Sequence, residues 1–475
     1  MITKNQDILS IARKRLDDFN KLRQAGLICL DGNFFPSVHY PPITMYPPIN
    51  EESLFSGYKN PSGEAFDIYA HFPFCITHCV FCHYPVKLGD LTEEKDYYIS
   101  ILEKEMDIYM RRLGIKTIKA GSILVGGGTP TYLEPEQLER FLKFFTSRIS
   151  LSPSTQFSYD VDPPTLLGEK GKERLKIMRS YGVNRLTIGI QSLNDTALKA
   201  MNRPHTTEEA MQSIEDSRKA GFKINTEYIF GFPGQTMDNW IEVMEKAASM
   251  GTEEIQLYRL KIVPYGDRVG TILKKYSESS ETFPPAEEVI MMKQAAISIL
   301  SQKGYFENLT RVFTKERNDY SHYTDHQCCK LFDQIGLGLT AFSSLRDRFA
   351  LNTQDFKEYY SLVENGKLPI NRGLIRSKDD QRRWCIILPL KNREVYKKFY
   401  QMQTGVSLSE VFRKKIDRLK SYGLLFEDDN ILKLTELGRF FADEVCEQFS
   451  DPKYIPFPKT AYATDELNPY EDSQP

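Results

Sequence analysis

The chain has 475 residues, room for roughly three domains by the usual relation of length to domain number. Its 62 basic and 64 acidic side chains are interspersed and leave a formal charge of -2, which excludes the basic field that draws a protein onto nucleic acid. No run reaches the roughly 20 apolar residues of a bilayer span, and MITKNQDILSIARKRLDDF lacks the apolar stretch of a secretory leader, so the expectation is a cytoplasmic protein, monomeric, with no membrane and no nucleic-acid partner.

In chain order, residues 1–65 give a short helical stretch followed by SVHYPPITMYPPIN, whose prolines exclude regular helix and predict an extended arm over another surface. The strand FDIYAHF follows, and just past it stand Cys75, Cys79 and Cys82 in a C-x3-C-x2-C array. Eight cysteines spread along a chain of this length, three of them within this one short loop, do not form a disulfide framework and point to metal binding. A 4Fe-4S cluster ordinarily takes a thiolate on each iron. A compact loop offering three leaves one iron for a small chelating molecule, and S-adenosylmethionine is the candidate. The alternative is a zinc knuckle completed by His83 or His78. Cys29, Cys385 and Cys446 sit among apolar neighbours and read as small core hydrophobes; the adjacent Cys328 and Cys329 read as core or as pocket residues.

Beyond the cysteines, β-branched runs alternate with amphipathic helical stretches, the pattern of parallel βα units. The helix TEEKDYYISILEKEMDIYMRRL leads to the strand SILVGGG, PEQLERFLKFFTSRI to FSYDVD, GKERLKIMRSYG to RLTIGIQ, TTEEAMQSIEDSRKAG to INTEYIFG, and MDNWIEVMEKAASMG to EIQLYRLKIV. Six strands with right-handed crossovers predict an α/β fold, a partial (β/α)6 TIM-like barrel over residues 66–300, with its chemistry at the strand C-termini. Gly126, Gly127, Gly128, Thr129 and Pro130 end the second strand, where glycines let backbone approach a ligand with no Cβ in the way; a tight turn would need one glycine. Asp160, Gln191 and Glu227 end the third, fourth and fifth strands, so three hydrogen-bonding side chains converge on one mouth. After about residue 300 the composition changes. LSEVFRKKIDRLKSYGLLFEDDNILKLTELGRFFADEV reads as helix, hairpin, helix, a mainly helical, winged-helix-like unit within a C-terminal domain of residues 301–475. It offers no basic recognition surface, so a lid or docking role is expected rather than DNA binding.

Together HYPPITMYPP, YAHFPFCITHCVFC, VGGGTPTYL, SYDVDP, IGIQSLNDTALKAMNRPHT, FGFPGQT, LGLTAFSS and LTELGRFF resemble the radical S-adenosylmethionine enzymes of the oxygen-independent coproporphyrinogen III oxidase family. CxxxCxxC alone marks the superfamily; the glycine and glutamine motifs in this order are specific to the branch. The resemblance implies a 4Fe-4S cluster on Cys75, Cys79 and Cys82, with one S-adenosylmethionine on the open iron and Tyr69, Gly127 and Asp160 around it. One electron, from a donor such as flavodoxin or ferredoxin, then yields a 5′-deoxyadenosyl radical. A second S-adenosylmethionine would contact Phe81, Gly128, Thr129, Gln191, Arg203 and Glu227. Tyr69 and Phe81 read equally as packing aromatics, and Arg203 as a solvated charge. The resembled family also carries an arm over its active-site mouth.

Departures from the family pattern bear on the reaction. Tyr84 occupies the position of a further cysteine in the decarboxylase, Asp160 and Glu227 exchange the family's glutamate and aspartate, and Lys261 replaces a small residue near the end of the sixth strand, two along from Arg259. Lys261 either neutralises a ligand carboxylate or points outside the barrel. The C-H-aromatic run at Cys82, His83 and Tyr84 resembles methylating and cyclopropanating relatives, with His83 a proton carrier or a backbone hydrogen-bonder. The expected function is therefore radical methyl or methylene transfer to an unsaturated or aromatic small molecule, with His83, Tyr84 and Lys261 at the reaction. The alternatives are oxidative decarboxylation of coproporphyrinogen III or another tetrapyrrole reaction, and heme delivery, for which His322 and His326 are the nearest ligand candidates.

Overall fold

The structure, a computed structural model, describes residues 2–36, 38–60, 63–262 and 271–471. Six strands form the frame of the site: β1 (Phe66–Phe72), β2 (Ile118–Gly127), β3 (Gln156–Val161), β4 (Arg185–Gln191), β5 (Lys223–Phe230) and β6 (Glu254–Arg259). They pair parallel in sequence order, as consecutive right-handed βα units dictate. The sixth strand stops at Arg259, short of its predicted end; Val263, and Ser37 of the predicted arm, lie outside the described residues.

Helices Thr92–Leu113, Pro135–Ser147, Gly168–Ser180, Thr207–Lys219 and Met237–Ser249 make the crossovers. Local chemistry sets their limits. Thr206 accepts from Glu209 N at 3.2 Å while Glu209 accepts from Thr206 N at 2.8 Å, a reciprocal cap that starts the fourth helix. Gly114, at φ 68°, ends the first in the left-handed conformation that favours glycine. The apolar stripe of Pro135–Ser147 faces the sheet, with Phe141 edge-on to Phe72 at 4.7 Å.

The sheet runs on past residue 300. A hairpin, β7 (Phe306–Leu309) and β8 (Val312–Thr314), lies antiparallel on β6, and β9 (Gln334–Leu337) pairs parallel with the free side of β1. β10 (Phe342–Leu345), β11 (Arg348–Asn352) and β12 (Ile370–Ile375) continue it antiparallel. The barrel is therefore open, as expected of six units, and both of its edges are covered. The segment between β8 and β9 crosses the opening: Tyr323 meets Tyr69 at 6.3 Å, and His326 Nδ1 lies 2.9 Å from Asp67 Oδ1 at the start of β1. Cys328 and Cys329 pack in an apolar cluster with Trp384 and Leu388, so this pair is core.

The last part of the chain is largely helical, as the sequence predicts. Helix Lys378–Asn392, β13 (Glu394–Tyr396), helix Leu408–Ser421, and the hairpin β14 (Leu425–Glu427) and β15 (Ile431–Leu434) surround a core that includes Phe412, Ile416 and Leu432. Asp443, on helix Ala442–Glu447, accepts from Lys391 Nζ at 2.6 Å and from Arg311 of the β7–β8 turn, fastening this unit to the hairpin beside β6. The N-terminal helix, Ile2–Gln24, is longer than the short stretch expected and is tied to helix Ala286–Gln302 by Arg23 to Glu287 at 2.9 Å and Arg15 to Gln294 at 3.0 Å. No helix among the described residues is long and apolar enough to cross a membrane.

Candidate cluster and cofactor site

The cysteine loop leaves the end of β1 and is fixed to β2 through backbone. Gly128 N donates to Phe72 O and Thr129 N to Phe74 O, both at 2.7 Å. A Cβ on Gly128 would lie 2.7 Å from Phe74 O and 2.8 Å from Cys75 Sγ, so only glycine allows the loop this close. Two donors already face the sulfurs: Thr129 Oγ1 is 3.6 Å from Cys75 Sγ and Arg203 Nη1 is 3.2 Å from Cys79 Sγ. Burial pushes the Cys75 thiol up to about 12, so its thiolate needs a cation for a partner, which bound iron provides.

Among the described residues no three His, Cys, Asp or Glu side chains converge closely enough to hold one metal ion. A zinc ion would sit about 2.3 Å from each sulfur and draw the thiols nearly into contact. A cubane carries its ligands around a larger body, and three partly exposed cysteines on one loop fit it better than they fit a knuckle.

Beside the loop the strand ends form a cradle. A Cβ on Gly126 would stand 2.3 Å from Asp160 Oδ2 and 3.4 Å from the Tyr69 ring, and one on Gly127 would stand 2.9 Å from three atoms of the His71 ring. Tyr69 OH bonds His71 Nδ1 at 2.9 Å. Burial, with Glu227 nearby, pushes Asp160 up to about 8; burial pushes Glu227 up to about 7, against a hydrogen bond from Tyr258 OH at 3.1 Å. Arg185 offsets only part of this for both acids, and two carboxyls so raised suit a positively charged or hydroxyl-rich ligand. Gln191 adopts φ 67°, a conformation rare outside glycine, at the end of β4. The structure thus gathers Tyr69, Gly127, Gly128, Thr129, Asp160, Gln191 and Glu227 around one mouth. Phe81 instead packs beside the apolar group Met201, Ile229 and Phe232.

His83, Tyr84 and Lys261 come together in a second place, lining a cavity of about 210 Å³ whose other walls are arm residues, among them Phe35, His39 and Ile43. The arm therefore walls this second cavity. Lys261 lies past the end of β6, so no strand register relates it to Arg259; its ammonium sits 4.6 Å over the Phe35 ring, facing the cavity rather than the outside of the barrel. His83 Nε2 lies 3.3 Å from Lys261 O. A carbonyl only accepts, so this nitrogen carries the proton and Nδ1 is the basic one. Arg259 stacks on Phe34 at 4.2 Å and donates to Gly32 O at 2.7 Å, holding the arm from the other side.

The sequence reading missed two residues. His71 stands two along from Tyr69 on β1 and so shares its face, a period-two offset that was the available signal; Asp162 lies just past the end of β3 and pairs with Arg203, a contact no strand period announces. Of the proposed heme ligands, His326 has its Nδ1 on Asp67 and its ring stacked on Phe332 at 4.5 Å.

Residues 69–247 match the Radical SAM superfamily and residues 377–441 the HemN C-terminal domain. The oxygen-independent coproporphyrinogen III oxidase of Pseudomonas aeruginosa is 25% identical over 416 residues, 83% of this chain and 87% of that one. The heme chaperone HemW of Bacillus subtilis is 27% identical over 391 residues, 80% of this chain and 98% of that one. Among solved structures, coproporphyrinogen III oxidase (HemN) from Escherichia coli superposes with a TM-score of 0.73 at 23% identity, covering 85% of this chain and 94% of that one.

Proposed function

Since the chain belongs to the Radical SAM superfamily, within the family of the oxygen-independent coproporphyrinogen III oxidases, we propose that it uses a second S-adenosylmethionine to transfer a methyl or methylene unit to an unsaturated or aromatic small molecule held beneath the arm. The superfamily assignment itself makes it a radical enzyme that employs a 4Fe-4S cluster and S-adenosylmethionine, acts on a small molecule and needs a reductant. One observation carries the finer reading: Tyr84 stands where the decarboxylase has a cysteine, and it lines the same cavity as His83 and Lys261. Cys75, Cys79 and Cys82 would hold the cluster, with Tyr69, Gly127 and Asp160 about the first cofactor and Gly128, Thr129, Gln191, Arg203 and Glu227 about the second. The proposed organisation is an arm (1–65), a barrel (66–300) and a C-terminal domain (301–475) whose first strands extend the barrel sheet and whose helical remainder is the lid, working as a monomer with flavodoxin or ferredoxin as donor.

When bound, the cluster and S-adenosylmethionine supply one-electron cleavage of a sulfonium bond. The chain's own residues do the rest. Gly126 and Gly127 let the ligand approach the strand ends, while Asp160 and Glu227, ionised by a cationic neighbour, fix its polar groups. Phe35, Pro36 and Ile43 of the arm exclude water from the acceptor cavity. His83 takes up a proton at Nδ1, its ring oriented by the bond from Nε2 to Lys261 O.

A second reading, oxidation of a tetrapyrrole, is supported by the span of the match to the Pseudomonas oxidase. One anaerobic experiment separates the two. The reconstituted protein is given reductant, S-adenosylmethionine and either conjugated acceptors or coproporphyrinogen III, and its nucleosides are identified. S-adenosylhomocysteine alongside 5′-deoxyadenosine is expected. 5′-Deoxyadenosine with carbon dioxide from the porphyrinogen would overturn the methyl-transfer reading and establish the second.

A further inference from the structure

We propose that Arg203 sets the reduction potential of the cluster by holding a hydrogen bond and a positive charge on the Cys79 sulfur, an assignment that rests on Cys79 being a cluster ligand. Arg203 lies in the loop after β4, and its side chain is only 10% exposed. Nη1 points at Cys79 Sγ from 3.2 Å, while Nη2 donates to Gly189 O at 2.7 Å and to the Asp162 carboxylate.

The backbone fixes this placement independently of the guanidinium. Val80 N donates to Met201 O at 3.1 Å, Thr77 Oγ1 to Asn202 O at 3.1 Å, and Asn202 Nδ2 to His78 O at 2.8 Å. Asn202, at φ 59°, makes the turn that presents Arg203 to the loop. The segment Met201–Arg203 is thus laced onto Thr77–Val80, so the donor travels with the sulfur it serves. A solvated arginine has no such tether, and the contact with Cys79 is present whether or not Arg203 also meets the second cofactor.

The consequence is electrostatic. Reduction adds one electron from the external reductant to the oxidised cluster; no bond forms and no proton moves. The guanidinium stays charged throughout. A fixed positive donor at a ligand sulfur stabilises the more electron-rich state, and hydrogen bonds to cluster sulfurs raise its potential in this way. Asp162, whose side chain is 9% exposed, offsets part of that charge. Removing the arginine and removing the aspartate should therefore move the potential in opposite directions, which loosening of the loop would not do.

The test is a dithionite redox titration followed by electron paramagnetic resonance, on the full reconstituted chain without S-adenosylmethionine. Arg203→Met should lower the ratio of reduced to oxidised cluster at a fixed potential at least tenfold, equivalent to about 59 mV for a one-electron couple. Arg203→Lys should fall between it and the parent, and Asp162→Asn should shift the other way. An Arg203→Met protein with the parent's iron and sulfide content and the parent's potential would overturn the proposal, even if its affinity for S-adenosylmethionine fell. If Arg203→Met takes up no iron, unshifted potentials in both Arg203→Lys and Asp162→Asn would overturn it. A parent chain that assembles no cluster would refute the assignment of the cysteines instead.

Discussion

Replacing Gly126 by alanine should separate cofactor binding from cluster assembly. The added methyl would stand 2.3 Å from Asp160 Oδ2 and 3.3 Å from its Cγ. Relaxed non-bonded contacts lie near 3.5 Å, so the carboxylate must retreat by about 1 Å. A misplacement of that size costs about 100-fold in turnover, which is about 3 kcal/mol, and should weaken binding of the cofactor as well. Gly126 is two residues from Gly128, and it is Gly128, not Gly126, whose missing Cβ faces Cys75 Sγ. Iron and sulfide content should therefore match the parent. The assay is anaerobic calorimetry of S-adenosylmethionine binding to the reconstituted variant beside iron analysis. Gly128→Ala is the contrast: its methyl meets two backbone carbonyls and the sulfur itself, so this variant should fail to hold iron. Parent-like affinity in Gly126→Ala with a full cluster would refute the placement of Asp160 at the cofactor.

Three further outcomes follow from the packing. Between about pH 4 and 8 Asp160 and Glu227 keep protons in the folded chain that the unfolded chain has released, so these groups reduce stability as pH rises through that window and add nothing more above it. The thermal midpoint of metal-free protein should fall from pH 5 to 8 by less in Asp160→Asn than in the parent, and S-adenosylmethionine binding at pH 7 should release protons, seen as an enthalpy that varies with buffer; a buffer-independent enthalpy would contradict this. Asp443→Ala removes the buried carboxylate shared by Arg311 and Lys391 and should cost about 3–5 kcal/mol in urea unfolding, whereas a loss under about 1 kcal/mol would mean the unit is held by its apolar core alone. Phe35→Ala removes a cation–π contact of about 0.5–2 kcal/mol from Lys261 and widens the cavity, so KM for the acceptor identified by nucleoside analysis should rise with kcat little changed; an unaltered KM would remove the arm from substrate binding.

Much of the frame was legible because its signals are local. The period of two in FSYDVD and RLTIGIQ, the helical period between them, and the close spacing of Cys75, Cys79 and Cys82 need no tertiary information. Helix Thr92–Leu113 has the limits the sequence predicts, since Gly114 stops it chemically. Strands β7 to β12 escaped notice because each is three to six residues long, too short for periodicity to register, and because the pairings that join them to the barrel, β9 with β1 and β8 with β6, are distant in sequence. The orientation of Lys261 was undecidable for a related reason: it follows from a Phe35 ring more than two hundred residues upstream. His71 was closer to hand, but its value lies in a ring seated on Gly127, a contact that neither residue announces alone.

The pairing of β9 with β1 and of β8 with β6 has a bearing on traffic. Backbone that would otherwise invite another chain is consumed internally, which protects against edge-to-edge association. The flank between these borders is plugged by Tyr323 and His326. Phe34 and Phe35 stand on the side away from that flank, and the two cations gripping those rings tie the strap to the end of the last barrel strand, where it can influence what reaches the cavity.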